Sequence, residues 1–365
     1  MKITNYFISA VACLFLLQGC VSTKSEEVTT PSQYTMKASL KTAERNCEVI
    51  PPFINPLVFN SKYNPKEKSK STVVAELEKQ YKENTAYINQ FAFRIVKLSD
   101  SLIKDPRSGD LHCYLSLLSD WAQHSSLSNN ESINHVGKAV RKWTLAAISS
   151  SYLKVSINHH PAIPPATDQQ IKAWISVLAY QVKQDYSNRK PTQINNHDYW
   201  AGWSVMASAA VLNDRVLYQW AEDVFVYAAK QIDQQGLLPN ELKREKRAAA
   251  YHNYAMQPLA MLGLFVSENN PQLFNQHRDS IERLTSNLFR HALGDSVFEI
   301  KSGFVQVEDE ITIKGRSAWL APYLTYSPSQ ESDIKAVMAL SSNFRSTRLG
   351  GDLGYLFITS NSNHK

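Results

Sequence analysis

Several patterns that usually identify a function are missing from this sequence. It has no glycine-rich phosphate loop and no Gly-x-Ser-x-Gly nucleophile elbow, so neither phosphate binding through such a loop nor α/β-hydrolase catalysis is supported. Its 4 Cys and 10 His are not arranged as the two ligand pairs that a zinc site requires. We therefore expect no metal ion and no other cofactor.

Long blocks of like charge are also missing. The chain has 39 Lys and Arg against 33 Asp and Glu, a formal charge of +6, which favours an anionic partner such as a nucleic acid, an anionic glycan or a membrane surface. The densest basic run, residues 62–70, contains Glu67, and no block is as long as a nucleic-acid-binding tail. We therefore expect an anionic polysaccharide and no nucleic acid. With 43% hydrophobic and 20% charged residues, the 365-residue chain is expected to be globular, with one or two domains.

The N-terminus is typical of an export signal. A basic start is followed by an apolar stretch over 7–17, too short to span a bilayer, which ends in Leu17-Gln18-Gly19-Cys20. This order resembles a bacterial lipobox, whose Cys becomes lipidated. The alternative is an ordinary cleaved signal with an incidental Cys. Since no Asp follows Cys20, we expect an exported outer-membrane lipoprotein, in the periplasm or at the cell surface, which meets the membrane only through its lipid anchor.

These features predict a simple domain organisation. A signal peptide is expected over 1–19, the lipidated Cys20 with a polar tether over 20–45, and a single domain over 46–360. Cys47 and Cys113 are then the cysteines of the folded part. In an oxidising periplasm they are candidates for a disulfide, and the alternative is two separate buried thiols.

The remaining chain has almost no period-2 pattern, and apolar residues recur instead at helical spacing. The helical stretches are 73–103, 111–121, 136–152, 168–186, 199–211, 216–232, 246–265 and 271–293, whereas 298–313 is arguably strand-like. Helices joined by short loops pack as antiparallel hairpins, which stack into a solenoid or close into an α/α toroid. No fixed-period repeat supports a solenoid. We predict an all-α, incomplete α/α toroid with a central cleft.

A first candidate site is Asn195-Asn196-His197, at the start of a predicted helix. Asn is a preferred N-cap, so one interpretation is that an Asn simply caps the helix. The other interpretation uses the same physics: free N–H groups at a helix N-terminus suit a carboxylate, and Asn and His side chains can donate to it. His197 can also move a proton near neutral pH.

A second candidate site lies between Asn240 and Tyr254. If this segment is helical, Arg247, Tyr251 and Tyr254 lie at i, i+4 and i+7, and Arg247 and Tyr254 point in nearly the same direction. The structural interpretation is an amphipathic helix with a solvated Arg and two core Tyr. The functional one is a cation placed to lower the pKa of a catalytic phenol, which titrates near pH ~10 when free.

Together these residue types suit the cleavage of a polyuronate by β-elimination. The reaction removes the C5 proton and expels the C4 oxygen. Neutralising the uronate carboxylate with Arg, Asn and His stabilises the carbanion-like transition state, while a Tyr serves as base, acid or both. In mannuronate the C5 proton and the C4 oxygen lie on one face, so a single Tyr can perform both steps.

At these residues the chain resembles the mannuronate-specific alginate lyases of polysaccharide lyase family five, which have an α/α-toroid fold. Further similar segments are 61–63, 141–143, 233–262, 318–320 and 348–351. The resemblance implies that Asn196, His197 and Arg247 neutralise the carboxylate and that Tyr254 is the acid and base. It places Lys62 and Tyr63 on a lid and pairs Cys47 with Cys113. We expect a monomer, with further substrate contacts from a set of flanking residues: His135, Trp143, Trp200, Arg244 and Tyr251.

Two departures from the family pattern bear on the substrate. Residues 64–70 are more basic than expected, and Ala321 stands where an acidic residue is expected. A basic lid suits another polyuronate, such as polyglucuronate. Two other functions remain as alternatives. One is a glycosidase using Glu222, Asp223 or Glu241, since hydrolases also use α/α toroids. The other is a non-catalytic glycan-binding lipoprotein.

Overall fold

The computed structural model of the chain describes residues 27–36, 38–307 and 311–359. Within these ranges the regular secondary structure is helical apart from one pair of short antiparallel strands, β1 (Arg345–Ser346) and β2 (Gly351–Asp352), and two isolated β-bridges. The helices are α1 (Ala75–Asn84), α2 (Ala86–Lys104), α3 (Ser108–Gln123), α4 (His135–His159), α5 (Pro165–Tyr186), α6 (Asn196–Leu212), α7 (Arg215–Gln231), α8 (Pro239–Leu242), α9 (Ala248–Asn269), α10 (Pro271–Ala292), α11 (Val297–Ser302), α12 (Leu320–Tyr326) and α13 (Glu331–Leu340).

The bundle is built from antiparallel hairpins, each with one helix in an inner layer and one in an outer layer. The inner layer runs α2, α4, α6, α9 and α12, and the outer layer runs α3, α5, α7, α10 and α13, with each helix packed on its neighbours in the same layer. Helices α4, α6 and α9 are apolar or small-residue on nearly every face and are buried accordingly. This is the predicted incomplete α/α toroid. Because the inner helices run parallel, their N-terminal ends share one end of the molecule.

Two sequence predictions fail locally. The predicted helix over 73–103 is divided at Thr85, which ends α1 and precedes α2. The strand-like stretch 298–313 instead begins with α11, which ends at Gly303 in the left-handed conformation. Within it Phe298 is buried against His252 of α9, whereas Ile300, Phe304 and Val305 are exposed.

The C-terminal segment contacts the inner helices α2, α4 and α9. Gly350 and Gly351 have φ of 102° and 114°, and a Cβ on Gly351 would lie 2.3 Å from the Asp100 carboxylate. That carboxylate accepts hydrogen bonds from the backbone N–H of Asp352 and from Lys154 Nζ. The two glycines therefore allow the hairpin to approach the bundle closely, and this fixes the preceding Arg348.

Residues 27–36 lie at the end of the bundle that carries the C-termini of α4, α6 and α9. Side-chain amides near these three helix ends hold the segment through its backbone: Asn158, Asn213 and Asn269. Tyr34 is fully buried against Phe265 and Phe357. Within the predicted polar tether over 20–45, residues 28–36 are thus held against the bundle, and the buried ring of Tyr34 anchors them. The predicted signal and Cys20 lie outside the described residues.

Cys47 and Cys113 form a disulfide that links the segment before α1 to α3. This confirms the predicted pairing. Within the described ranges, no helix combines the length and apolar character needed to cross a membrane.

Candidate active site

A cleft of about 440 Å³ opens at the N-terminal ends of α4, α6 and α9. Among its described lining residues there is no Asp or Glu, whereas six are cationic: Lys62, Lys70, Arg244, Arg247, Arg316 and Arg348. The positive ends of the three helix dipoles add to this charge. The cleft is therefore suited to a polyanion. It does not provide the pair of carboxyl groups that a glycosidase needs, since Glu222 is hydrogen-bonded to Tyr218 and Asn270 away from the cleft.

Residues 61–73 form a lid over this cleft. Glu67 ties the lid together by accepting hydrogen bonds from Ser71 Oγ and from the Thr72 N–H, which hold the pKa of its carboxyl down at about 2. The lid is attached to the opposite wall by the Tyr63 and Tyr251 hydroxyls, whose oxygens are 2.6 Å apart. Arg244 Nη2 donates to the Lys70 carbonyl at 2.7 Å. The structure thus represents a closed cleft.

The start of α6 shows that both interpretations of the Asn pair apply, one to each residue. Asn195 is the N-cap and forms a capping box with Asp198. Asn196 is the first helical residue, lines the cleft and is 1% exposed. Its N–H and Nδ2 donate to the Glu241 carboxylate at 2.6 and 3.0 Å. Its Oδ1 is buried with no hydrogen-bond partner among the described residues.

Glu241 is a buried carboxyl behind the cleft that sequence reasoning considered only as a glycosidase acid. Burial raises its pKa to about 7, and the hydrogen bonds from Asn196 oppose this rise. Glu241 therefore orients Asn196, and its proton determines whether it accepts from or donates to the Asn196 amide.

His197 lies between the cleft and a buried lysine of α4. Its Nδ1 is 2.7 Å from Lys142 Nζ, which also contacts the Tyr186 hydroxyl at 2.8 Å. Burial, followed by the nearby positive charge of Lys142, lowers the pKa of His197 well below its ordinary value. Burial likewise lowers the pKa of the neighbouring His135 to about 4. Both imidazoles are therefore neutral at neutral pH.

Tyr254 lies at the bottom of the cleft, against Trp143 and Trp200. Its hydroxyl oxygen accepts a hydrogen bond from Arg348 Nη1 at 2.6 Å, and the Arg348 guanidinium lies 4.0 Å from the centre of the Trp143 ring. On balance burial raises the pKa of Tyr254 above its ordinary value, and the charge of Arg348 and its hydrogen bond partly oppose this rise. Arg348 thus stabilises the phenolate.

The prediction that Arg247 lowers the pKa of this phenol is corrected, because the cation in contact with Tyr254 is Arg348. Arg247 ends a 3₁₀ turn over Glu245–Arg247, and α9 begins only at Ala248, so it does not share a helical face with Tyr254. Glu245, at φ 54°, marks the break in helical geometry. Arg247 still lines the cleft, and its Nε donates to the lid carbonyl of Ser71 at 2.9 Å.

The structure brings the predicted residues together with one exception. Those that line the cleft are Lys62, Tyr63, His135, Trp143, Asn196, His197, Arg244, Arg247, Tyr251 and Tyr254. Trp200 is wrong as a substrate contact, since it is fully buried and donates its indole N–H to the Tyr254 carbonyl. Three further cationic residues of the lining have no individual role predicted from the sequence: Lys70, Arg316 and Arg348. For Arg348, the two glycines that follow it closely are the feature of the sequence that could have identified it.

Comparison with known proteins identifies the family of the chain. The family model described as alginate lyase matches residues 58–298. An alginate lyase of Pseudomonas paraeruginosa is 35% identical, with 94% of each chain covered. The chain belongs to the alginate lyase family. An alginate lyase of Pseudomonas syringae pv. tomato is 38% identical, covering 86% of this chain and 84% of that one.

Solved structures of alginate lyases share the fold. Alginate lyase A1-III from Sphingomonas species A1 superposes with a TM-score of 0.72 at 18% identity, covering 90% of this chain and 91% of the other. The same lyase in a variant complexed with a tetrasaccharide gives a TM-score of 0.71 at 17% identity. Of the two departures from the alginate lyase pattern, Ala321 is fully buried in α12, whereas the basic lid residue Lys70 lines the cleft.

Proposed function

We propose that this protein is a lyase that depolymerises alginate by β-elimination between C4 and C5 of a uronate. The observation that carries the proposal is the Tyr254 hydroxyl, which accepts a hydrogen bond from Arg348 in a cleft lined by cations and by no described carboxyl group. A phenol in this setting is suited to proton transfer, and the cationic walls are suited to a polyanionic chain.

The walls of the cleft supply the donors that the uronate carboxylate requires. Neutralising this carboxylate acidifies the C5 proton, because negative charge develops next to it in the transition state. Asn196, His197 and Arg247 all line the cleft and are assigned this role. Because His197 is neutral, it acts as a hydrogen-bond donor rather than as a charged partner.

Tyr254 is assigned the proton transfers. As a phenolate stabilised by Arg348, it removes the C5 proton, and as a phenol it then donates that proton to the C4 oxygen as the glycosidic bond breaks. One group can perform both steps only where the proton and the leaving oxygen lie on the same face of the sugar. This arrangement favours polymannuronate over polyguluronate as the substrate.

A substrate panel tests this assignment. Purified protein is incubated with polymannuronate, polyguluronate and polyglucuronate, and ultraviolet absorbance of the unsaturated product is recorded beside the release of reducing ends. We expect both signals, largest on polymannuronate. A larger rate on polyglucuronate would favour the alternative suggested by the basic lid. Reducing ends without absorbance indicate a hydrolase, and polymer binding without either signal indicates a glycan-binding lipoprotein.

For the location of the protein we propose export and lipidation at Cys20. Residues 28–36 run along the end of the bundle opposite to the cleft, which supports an anchor that leaves the cleft facing away from the membrane. Labelled palmitate should be incorporated into the wild-type protein in cells and not into Cys20→Ala. Equal labelling of both, or of neither, would contradict lipidation at this residue.

A further inference from the structure

Lys142 is a fully buried lysine of α4 that no part of the proposed reaction has used. It does not line the cleft, whereas His197 does. Its Nζ lies 2.7 Å from Nδ1 of His197 and 2.8 Å from the hydroxyl of Tyr186. Removing an amino group from water costs free energy unless hydrogen bonds compensate for it. The two contacts of Lys142, one of them to a residue of the site, supply this compensation.

We propose that Lys142 is a positioning residue that donates a hydrogen bond to Nδ1 of His197 and thereby fixes the imidazole proton on Nε2, where it faces the cleft. The tautomer follows from the geometry alone, whereas its effect on catalysis rests on the proposed function. The two nitrogens of a neutral imidazole have opposite roles, so a donor at Nδ1 makes Nε2 the N–H.

The hydrogen bond can form in either charge state of Lys142. An ammonium group has no lone pair and can only donate, so it satisfies both the Tyr186 oxygen and Nδ1. A neutral amine accepts from the Tyr186 hydroxyl and still has N–H groups for Nδ1. Burial lowers the pKa of Lys142 well below its ordinary value; Asp198 opposes this and Arg189 adds to it.

This arrangement separates two roles that the residue type leaves open for His197. With the proton on Nε2, the imidazole presents a donor to the substrate carboxylate and has no free lone pair there to remove a proton. His197 then stabilises charge, and the C5 proton is left to Tyr254. A histidine whose tautomer is set from behind is a known requirement of proton-transfer sites, where the wrong tautomer abolishes most of the rate.

The tautomer can be measured without any lyase assay. In a long-range proton–nitrogen NMR spectrum of ¹⁵N-histidine-labelled protein, assigned with His197→Gln, we expect His197 to carry its proton on Nε2 with Nδ1 unprotonated. A proton on Nδ1, or on both nitrogens, at neutral pH would overturn the proposal. Since the wild-type spectrum decides this, the test does not depend on any variant folding.

Two variants then connect the tautomer to the rate. In Lys142→Met, which removes the donor, we expect a mixture of tautomers and a kcat on polymannuronate about 10- to 100-fold lower, with little change in KM. Lys138→Met is the matched control: it removes a lysine one turn earlier on α4 that pairs with Asp185, and should leave both readouts unchanged. An unchanged His197 spectrum in Lys142→Met would overturn the proposal. Wild-type protein with the expected tautomer but no lyase activity would instead overturn the proposed function.

Discussion

The hydroxyl oxygen of Tyr254 lies 2.6 Å from Nη1 of Arg348, a residue 94 positions later in the chain. The contact depends on the two glycines that follow Arg348, which let the C-terminal hairpin approach α2 and α4. Trp203 also holds this turn, donating its indole N–H to the Arg348 carbonyl at 3.0 Å. The base of the proposed reaction is therefore assembled from α9 and the C-terminal segment.

Replacing Arg348 by Met should lower kcat about 100-fold and move the rising limb of the pH–rate profile to higher pH. The direction follows from the pKa of Tyr254, which Arg348 lowers, so its loss leaves less phenolate at a given pH. The measurement is kcat against pH on polymannuronate. Arg345→Met, which removes an exposed arginine paired with Asp352, is the control. An unshifted profile would show that Tyr254 does not titrate in the rate-limiting step.

The lid should be held closed by the hydrogen bond between Tyr63 and Tyr251. Each Phe substitution removes this hydrogen bond. We therefore expect each single variant to lose about 1 kcal/mol of transition-state stabilisation, a fall of about 5-fold in kcat/KM, and the double variant to lose little more. Steady-state kinetics of the four proteins measures this coupling. Tyr87→Phe, on an exposed part of α2, serves as the control. Fully additive losses would mean that the two hydroxyls act independently.

Glu241 should make the stability of the protein depend on pH. Its folded pKa of about 7 lies above the ordinary value of 4.5, so between these values the folded state binds more protons than the unfolded state. The contribution of Glu241 to the free energy of unfolding is therefore greatest at low pH, and it falls by about 2–4 kcal/mol in all as the pH rises. Urea unfolding at about pH 5 and about pH 7 should show this fall for wild type and a smaller one for Glu241→Gln. Equal falls would contradict the assignment.

Loss of the Cys47–Cys113 disulfide should destabilise the protein with little effect on catalysis. The two residues are 66 positions apart, so the bond restricts a long loop of the unfolded chain. We expect the double Ser variant to lose about 2–4 kcal/mol of unfolding free energy and to keep its kcat at low temperature. Denaturant unfolding with a parallel lyase assay measures both. A large fall in kcat of the still-folded variant would contradict this expectation.

Helical periodicity is sufficient to predict the all-α class and the hairpins, because each hairpin is encoded by local spacing and short connections, whereas the choice of a toroid over a solenoid also used the absence of a repeat and the family resemblance. Periodicity does not indicate which face of an inner helix meets the cleft, since α6 is buried on nearly every face, and Trp200 was misassigned for this reason. The capping role of Asn195 is local and could be predicted as one of two interpretations. The 3₁₀ turn before α9 is not encoded in the spacing, so the direction of Arg247 could not be predicted.

The contacts that tune the site come from distant parts of the chain. Nothing in the local pattern distinguishes Lys142 from a lysine on a solvated face, although it is completely buried. Arg348 was noted only as part of a similar segment, and its partner Tyr254 belongs to another element. The residues at the start of α6 and in 247–254 could be predicted because the chemistry selects their types. Their supporting residues could not, because tertiary packing selects them.

The proposed elimination depends on Tyr254 for its proton transfers. Its most direct test is the ultraviolet absorbance of polymannuronate incubated with wild type and with Tyr254→Phe, beside polymer binding by both. We expect rising absorbance with wild type, none with Tyr254→Phe, and similar binding, because only the hydroxyl is lost. Turnover by Tyr254→Phe near the wild-type rate would contradict it.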